Sequence, residues 1–158
     1  MADSVELTTA SSYSKDNEVQ VVAFQLGNEE YAVDILNVQE INRMLHITRV
    51  PRANQFIEGV INLRGNIVPV INLHKKFQLP VFGDEEEKRI IVFQFEDIGV
   101  GIIVDKVSEV LKITDSQIEE AGNVYKSFDS EFIKGIAKVD DRLLILLDLQ
   151  KMLALEAQ

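Results

Sequence analysis

The sequence predicts a mainly β protein made of two copies of one small unit. Val and Ile together supply 35 of the 158 residues, and these side chains favour strands. The apolar runs are short, as at residues 67–73, and turn-forming residues separate them. One order of motifs occurs twice, on either side of a charged break at 83–88. Short antiparallel strands close most economically into small barrels, so we expect two barrels that share apolar surface.

Residues 1–18 are polar and rich in Ser, Thr, Asp and Asn, and we expect a disordered N-terminal tail there. The folded domain is expected over 19–155. It divides into two subdomains of approximately 19–82 and 88–155, between which strands can be exchanged. Each subdomain is too small to bury much apolar surface alone, so the two should fold as one unit.

The first subdomain reads as two hairpins with an irregular connection. The expected elements are strands at 19–27 and 31–35, a short helical turn around 37–41, an extended piece at 47–50, and a strand, turn and strand across 56–73. Proline cannot donate a hydrogen bond to a neighbouring strand. Pro69 therefore predicts a sheet edge or a bulge in the last of these strands.

The second subdomain repeats the first at two fixed spacings. Phe24-Gln25 aligns with Phe93-Gln94 at a spacing of 69, and the segment VQEI at 38–41 aligns with VSEV at 107–110 at the same spacing. FIEGV at 56–60 aligns with FIKGI at 132–136 at a spacing of 76. Residues 148–155 show helical spacing of apolar residues, and Asp148 is the expected N-cap.

Composition narrows the classes of function. The chain has no cysteine, so it has no disulfide and no cysteine metal site, which suits the cytoplasm. A formal net charge of −10 disfavours nucleic acid as a partner. No apolar run reaches the roughly 18 residues of a membrane helix, and no secretory signal is visible. We therefore expect no direct membrane insertion.

Motifs for catalysis or cofactor binding are not found. His46 and His74 have no metal-ligand spacing around them, and we expect surface or half-buried imidazoles. The pair Gly99 and Gly101 lacks the third glycine of a dinucleotide site, and neither a phosphate-binding loop nor a nucleophile elbow occurs. We expect a protein that is not an enzyme, with no catalytic residue, no metal and no cofactor.

Arg64 is the residue that most invites a functional interpretation. It lies in the segment NLRG at 62–65, at the expected tip of a hairpin. A guanidinium held there can bind a carboxylate or carbonyl of a partner with two parallel hydrogen bonds. The alternative is a hairpin-tip arginine with no special role. Glu40, within VQEI at 38–41, is the matching acidic residue, and its alternative is an ordinary exposed carboxylate.

Taken together, the motifs resemble those of the CheW family of bacterial chemotaxis coupling proteins. The resemblance covers residues 19–155, and it is specific because many motifs agree in order and spacing. They are GNEEYAVDI at 27–35, VQEI at 38–41, ITRVP at 47–51, FIEGVINLRG at 56–65, IVPVINL at 67–73, VGIIVDKVSEVL at 100–111 and LLILLDL at 143–149.

The resemblance implies a fold, a function and partners. The implied fold is two intertwined five-stranded SH3-like β barrels. The implied function is a non-enzymatic adaptor that couples the cytoplasmic tips of methyl-accepting chemoreceptors to the regulatory domain of the histidine kinase CheA. Such a protein is cytoplasmic, monomeric when free, and joins rings with the kinase in receptor arrays at the inner face of the membrane.

The resemblance also implies contact residues. Val38, Glu40 and Arg64 match receptor-binding positions in the first subdomain, and Val107 and Val110 match receptor-binding positions in the second. For the three valines the alternative is core packing. Val124 is the implied kinase-binding residue. Many relatives carry prolines in its neighbourhood, whereas this chain reads EEAGNV at 119–124.

Two other functions stay open at this point. The chain could be a CheW-like adaptor of a non-flagellar chemosensory system, because partner choice depends on rim residues that one sequence does not decode. It could also be a small-ligand carrier that uses the groove between the barrels.

Overall fold

A computed structural model describes residues 17–81, 83–120 and 132–156. Glu18, which the sequence places in the tail, begins the first strand, and residues 1–16 of that tail lie outside the described residues. The described strands are β1 (Glu18–Leu26), β2 (Glu29–Asp34), β3 (Val38–Arg43), β4 (Ile57–Leu63), β5 (Asn66–Ile71), β6 (Arg89–Phe95), β7 (Ile98–Val104), β8 (Lys106–Thr114), β9 (Ile118–Glu120), β10 (Ile133–Val139) and β11 (Arg142–Leu147). The described α-helices are α1 (Leu73–Phe77) and α2 (Leu149–Glu156), and 3-10 turns cover Ile35–Asn37, Glu85–Glu87 and Asp115–Gln117.

These strands form two sheets, and each sheet combines strands from both halves of the chain. One sheet, here called barrel A, has the order β8-β1-β2-β11-β10-β9. The other, barrel B, has the order β3-β6-β7-β5-β4. The hairpin β1–β2 therefore completes the sheet of the second half, and β6–β7 completes that of the first. The prediction of a mainly β fold with two intertwined SH3-like barrels is confirmed.

The internal repeat extends to the ends of both barrels. The backbone N–H of Asn72 donates to the carbonyl of Phe56 at 2.7 Å, and that of Asp148 donates to Phe132 at 2.8 Å. The side chains of Asn72 and Asp148 then cap the first turns of α1 and α2, with N–O distances of 3.0 and 3.1 Å. The expected N-cap at Asp148 is therefore confirmed, and its counterpart 76 positions earlier does the same.

The buried apolar residues form a central core between the barrels and a smaller core inside each barrel. β1 shows the division, because Val22 and Phe24 belong to the central core whereas Val21 and Ala23 belong to the core of barrel A. Both faces of this strand are buried, which explains its unbroken apolar run. The core of barrel B contains Ile61, Leu63, Val68, Val70, Ile90, Val92 and Ile103.

Two local predictions are wrong. The helical turn expected around 37–41 is instead a 3-10 turn at Ile35–Asn37 followed directly by strand β3. The Asp34 carboxylate caps this 3-10 turn by accepting a hydrogen bond from Leu36 N at 2.9 Å. His74 is not at the surface, since only 7% of it is exposed. Its Nε2 lies 2.9 Å from Asp105 Oδ1, and the Asp105 carboxylate also accepts from Gly27 N at 2.9 Å.

Pro69 is placed as the sequence predicts. It lies in β5, which has β4 on one side and β7 on the other. The pairing with β7 begins only at Val70, so β5 is still an edge on that side at Pro69. Within the described ranges, no helix has the length and apolar character that crossing a membrane would require.

Candidate functional site

Arg64 lies at the tip of the β4–β5 hairpin, in a left-handed backbone conformation. Its φ angle is +50° and that of Gly65 is +90°, as a two-residue hairpin turn requires. The Asn62 side chain accepts a hydrogen bond from Gly65 N at 2.8 Å and fixes the turn. Positive φ is uncommon for arginine, and such conformations occur often at functional sites.

The Arg64 guanidinium makes a two-pronged contact with the Glu40 carboxylate on β3. Nη1 donates to Oε1 at 3.4 Å, and Nη2 makes the shorter contact with Oε2. This hydrogen bonding lowers the pKa of Glu40, so the carboxylate is ionised at neutral pH. The Arg64 side chain is 68% exposed and the Glu40 side chain 20% exposed. Glu40 therefore orients a guanidinium that still faces solvent and can contact a partner.

The three valines of the implied receptor site have different environments. Val38 and Val107 are half-buried and pack against the central core, so core packing accounts for at least part of each. Val110 is 46% exposed and lies opposite Val22 of β1. Val124, the implied kinase contact, lies outside the described residues.

The strands that carry these residues are equivalent edges of the two barrels. In the described sheets, β3 is an edge strand of barrel B and β8 is an edge strand of barrel A. The repeat spacing of 69 relates Val38 to Val107 and Glu40 to Glu109. The structure thus brings Glu40 and Arg64 into direct contact, and it places Val107 and Val110 on the equivalent edge strand.

A second charged cluster in barrel A was missed by the sequence analysis. Arg142, at the start of β11, donates to Glu30 on β2 at 2.9 and 3.0 Å and to Glu109 on β8 at 2.5 Å. These hydrogen bonds raise the pKa of Arg142, and Arg142 lowers the pKa of Glu30. The repeat offers one clue, because Glu109 aligns with Glu40.

No metal site accompanies these clusters in the part of the chain that the structure describes, where no three His, Asp or Glu side chains are arranged to hold an ion. The arrangement consists of fixed charges and exposed apolar residues. Fixed charges beside exposed apolar residues are features that the rims and cores of protein–protein interfaces share.

Comparison with known proteins assigns the fold to a family. The profile of the CheW-like domain matches residues 20–157. The chain belongs to the CheW-like family. It is 42% identical over 137 residues to "Chemotaxis protein CheW" of Klebsiella aerogenes, with 87% of this chain and 82% of that protein covered. It is 40% identical over 136 residues to the protein of the same name from Thermotoga maritima, with 86% and 88% covered.

A solved structure supports the same assignment. The scaffolding protein TtCheW from Thermoanaerobacter tengcongensis superposes with a TM-score of 0.77 at 39% identity, covering 87% of this chain and 88% of that one. The resemblance found in the sequence is therefore confirmed. The names of these relatives support a chemotaxis scaffold or adaptor identity for this CheW-like chain.

Proposed function

We propose that this chain is a non-enzymatic, cytoplasmic adaptor that couples methyl-accepting chemoreceptors to the histidine kinase CheA. The observation that supports the proposal best is a family match that extends over 20–157 and includes both barrels. The relatives carry chemotaxis and scaffolding names, so a small-ligand carrier is not favoured.

The proposed receptor site consists of Val38, Glu40, Arg64, Val107 and Val110. A receptor tip made of helices presents an apolar stripe with polar residues beside it. The exposed Val110 can pack against such a stripe, and the Arg64 guanidinium can bind a polar group next to it. A charge held in one orientation by Glu40 then fixes the register of the helix.

Val124 is the proposed contact with the regulatory domain of CheA. Through it the adaptor and kinase would assemble into rings beneath the receptors, at the inner face of the membrane. The proposed receptor residues lie on β3, β8 and the β4–β5 turn, and each partner is tested in a titration of its own.

A calorimetric titration tests the proposal. The full chain is titrated with the regulatory domain of CheA and, separately, with a soluble fragment of the receptor tip from the same organism. We expect saturable binding near one to one for the kinase domain and measurable binding for the receptor fragment. No heat and no binding with either partner at about 100 μM, a concentration that detects weak complexes, would overturn the proposed function.

A further inference from the structure

The two barrels differ at one end, which we call the mouth, although their strands repeat. In barrel A the side chains of Glu30 and Arg142 follow the inward-facing alternation of their strands, since Ala32 and Leu144, two positions further along, lie in the core of that barrel. Glu109 pairs with Ala23, another member of that core. The hydrogen bonds of Arg142 to both acids therefore close the mouth of barrel A.

In barrel B two of the three equivalent positions carry smaller residues, while the third, Glu40, bonds Arg64 at the hairpin tip instead. The spacing of 69 relates Glu30 to Gly99, and the spacing of 76 relates Arg142 to Asn66. Gly99 has no side chain, and that of Asn66 is too short to span the opening. Here the structure has a cavity of about 330 Å³. The mouth of barrel B is therefore open where that of barrel A is closed.

The lining of this cavity has a definite chemistry. It lies over Leu63 and Val68 of the barrel B core. Its other lining residues are Gln39, Arg64, Asn66, Ile67, Gln94, Asp97 and Gly99. The three amides both donate and accept hydrogen bonds. A volume of 330 Å³ is at the lower end for ligand sites and is large enough to admit a side chain together with water.

Charge and hydrogen bonding together select the side chain. Arg64 and Asp97 are the charged residues of the lining, and Glu40 is paired with Arg64 beside the cavity, so these three groups together carry a net charge of −1. A carboxylate would add to the negative charge and could not donate a hydrogen bond. A carboxamide is neutral, accepts from the guanidinium, and donates to Asp97 or to an amide oxygen.

We propose that the open mouth of barrel B is a recognition pocket for a carboxamide side chain, Asn or Gln, that the receptor tip presents. The proposal rests on the proposed function and names Asn66, Gln94 and Gly99 as further specificity residues of that site. The closed mouth of barrel A rejects the same side chain. Since the strands of the two barrels repeat, this difference gives the receptor one binding orientation rather than two.

The test copies the closed mouth into barrel B. The double variant Gly99→Glu with Asn66→Arg adds one acid and one base and leaves the net charge unchanged. A Cβ at Gly99 meets its nearest atoms at 3.4 to 3.9 Å, which is ordinary contact, so the fold should tolerate the change. The matched control is Gln25→Arg with Asn28→Glu, which adds the same residue types at the exposed rim of barrel A.

The readout is the affinity for the soluble receptor-tip fragment, with thermal melting as the check on folding. We expect the closed-mouth variant to bind at least about tenfold more weakly, and the control to bind like the wild type. If the closed-mouth variant melts early, Gly99→Gln replaces it, because it fills the mouth with a carboxamide of its own and should weaken binding in the same way.

The receptor side completes the test. Each exposed Asn and Gln of the tip fragment is changed to Ala, and one of these changes should weaken binding to the wild type but not weaken binding to the closed-mouth variant further. If the closed-mouth variant binds the receptor fragment with the same affinity as the wild type, the proposed pocket is wrong but the proposed function stands. No binding by the wild type would overturn the proposed function and the pocket with it.

Discussion

Gly59 in barrel B and Gly135 in barrel A both pack directly against a backbone carbonyl group of a neighbouring segment. A Cβ built on Gly135 would lie 2.5 Å from the carbonyl oxygen of Glu119, and one built on Gly59 would lie closer still to that of Thr48. Both glycines stand at register shifts, of β4 against β5 and of β10 against β11. The barrels therefore share a close backbone approach that has no room for a side chain.

We predict that Gly59→Ala and Gly135→Ala each lower the free energy of unfolding by about 2–3 kcal/mol, because the backbone must move to make room. Gly99→Ala is the matched control in β7, where the added methyl makes ordinary contacts, and it should change stability by less than about 0.5 kcal/mol. Urea denaturation measures all three. Equal midpoints for the two test variants and the control would show that the close approach is not restrictive.

We predict that Arg64→Glu leaves the fold intact and weakens binding to the receptor fragment by at least about tenfold. The side chain is exposed, so its loss costs little packing, but the new carboxylate repels Glu40 and removes the donor that faces the partner. Arg64→Lys should give an intermediate loss, since an ammonium lacks the two-pronged geometry. A cooperative melt with unchanged receptor binding would remove Arg64 from the proposed site.

We predict that Arg142→Ala destabilises the protein by about 1 kcal/mol at neutral pH, with partial exposure of the cluster limiting the effect. Glu30 has a folded pKa below its ordinary value of 4.5 because of Arg142, so its contribution is present above that value and is lost as the pH falls through the folded pKa. The stability gap between wild type and variant should therefore shrink below about pH 4.5. Urea midpoints that keep the same gap at acid and neutral pH would contradict the role of this ion pair.

We predict that His74→Ala lowers the free energy of unfolding by about 2–3 kcal/mol, because it removes a partner of the buried Asp105 carboxylate and leaves a void. The other histidine, His46, is exposed and offers a natural control. His46→Ala should change stability by less than about 0.5 kcal/mol. Thermal melts of equal midpoint for the two variants would argue against a stabilising His74–Asp105 contact.

The repeat made much of this fold predictable. Phe24-Gln25 and Phe93-Gln94 occupy matching positions in β1 and β6, and the Asp148 cap follows from its place before an apolar helical pattern. The pairing of β2 with β11 could not be predicted, because it joins Tyr31 to Ile145 across most of the chain. Local patterns carry no information about such a contact.

The site was predictable only in part, for similar reasons. Arg64 stood out at its expected hairpin tip, and the resemblance then implied a receptor-binding role for Arg64 and Glu40. Their direct contact required the β3 strand, which the sequence had suggested to be helical, and the spacing of three between the apolar residues 38 and 41 fits a helix. The contacts of Arg142 could not be predicted, since its two acids lie 112 and 33 positions away, and the alignment of Glu109 with Glu40 was the one clue to them. The open mouth of barrel B becomes visible only when the two barrels are compared position by position.

Reconstitution of the receptor, CheA and this protein tests the proposed coupling. Kinase autophosphorylation is measured with CheA and receptor-containing membranes, at increasing concentrations of this protein. We expect a large, saturable rise in kinase activity that needs both the receptor and this protein and that is reduced by Arg64→Glu. Kinase activity that does not depend on this protein at any concentration would rule out the proposed coupling.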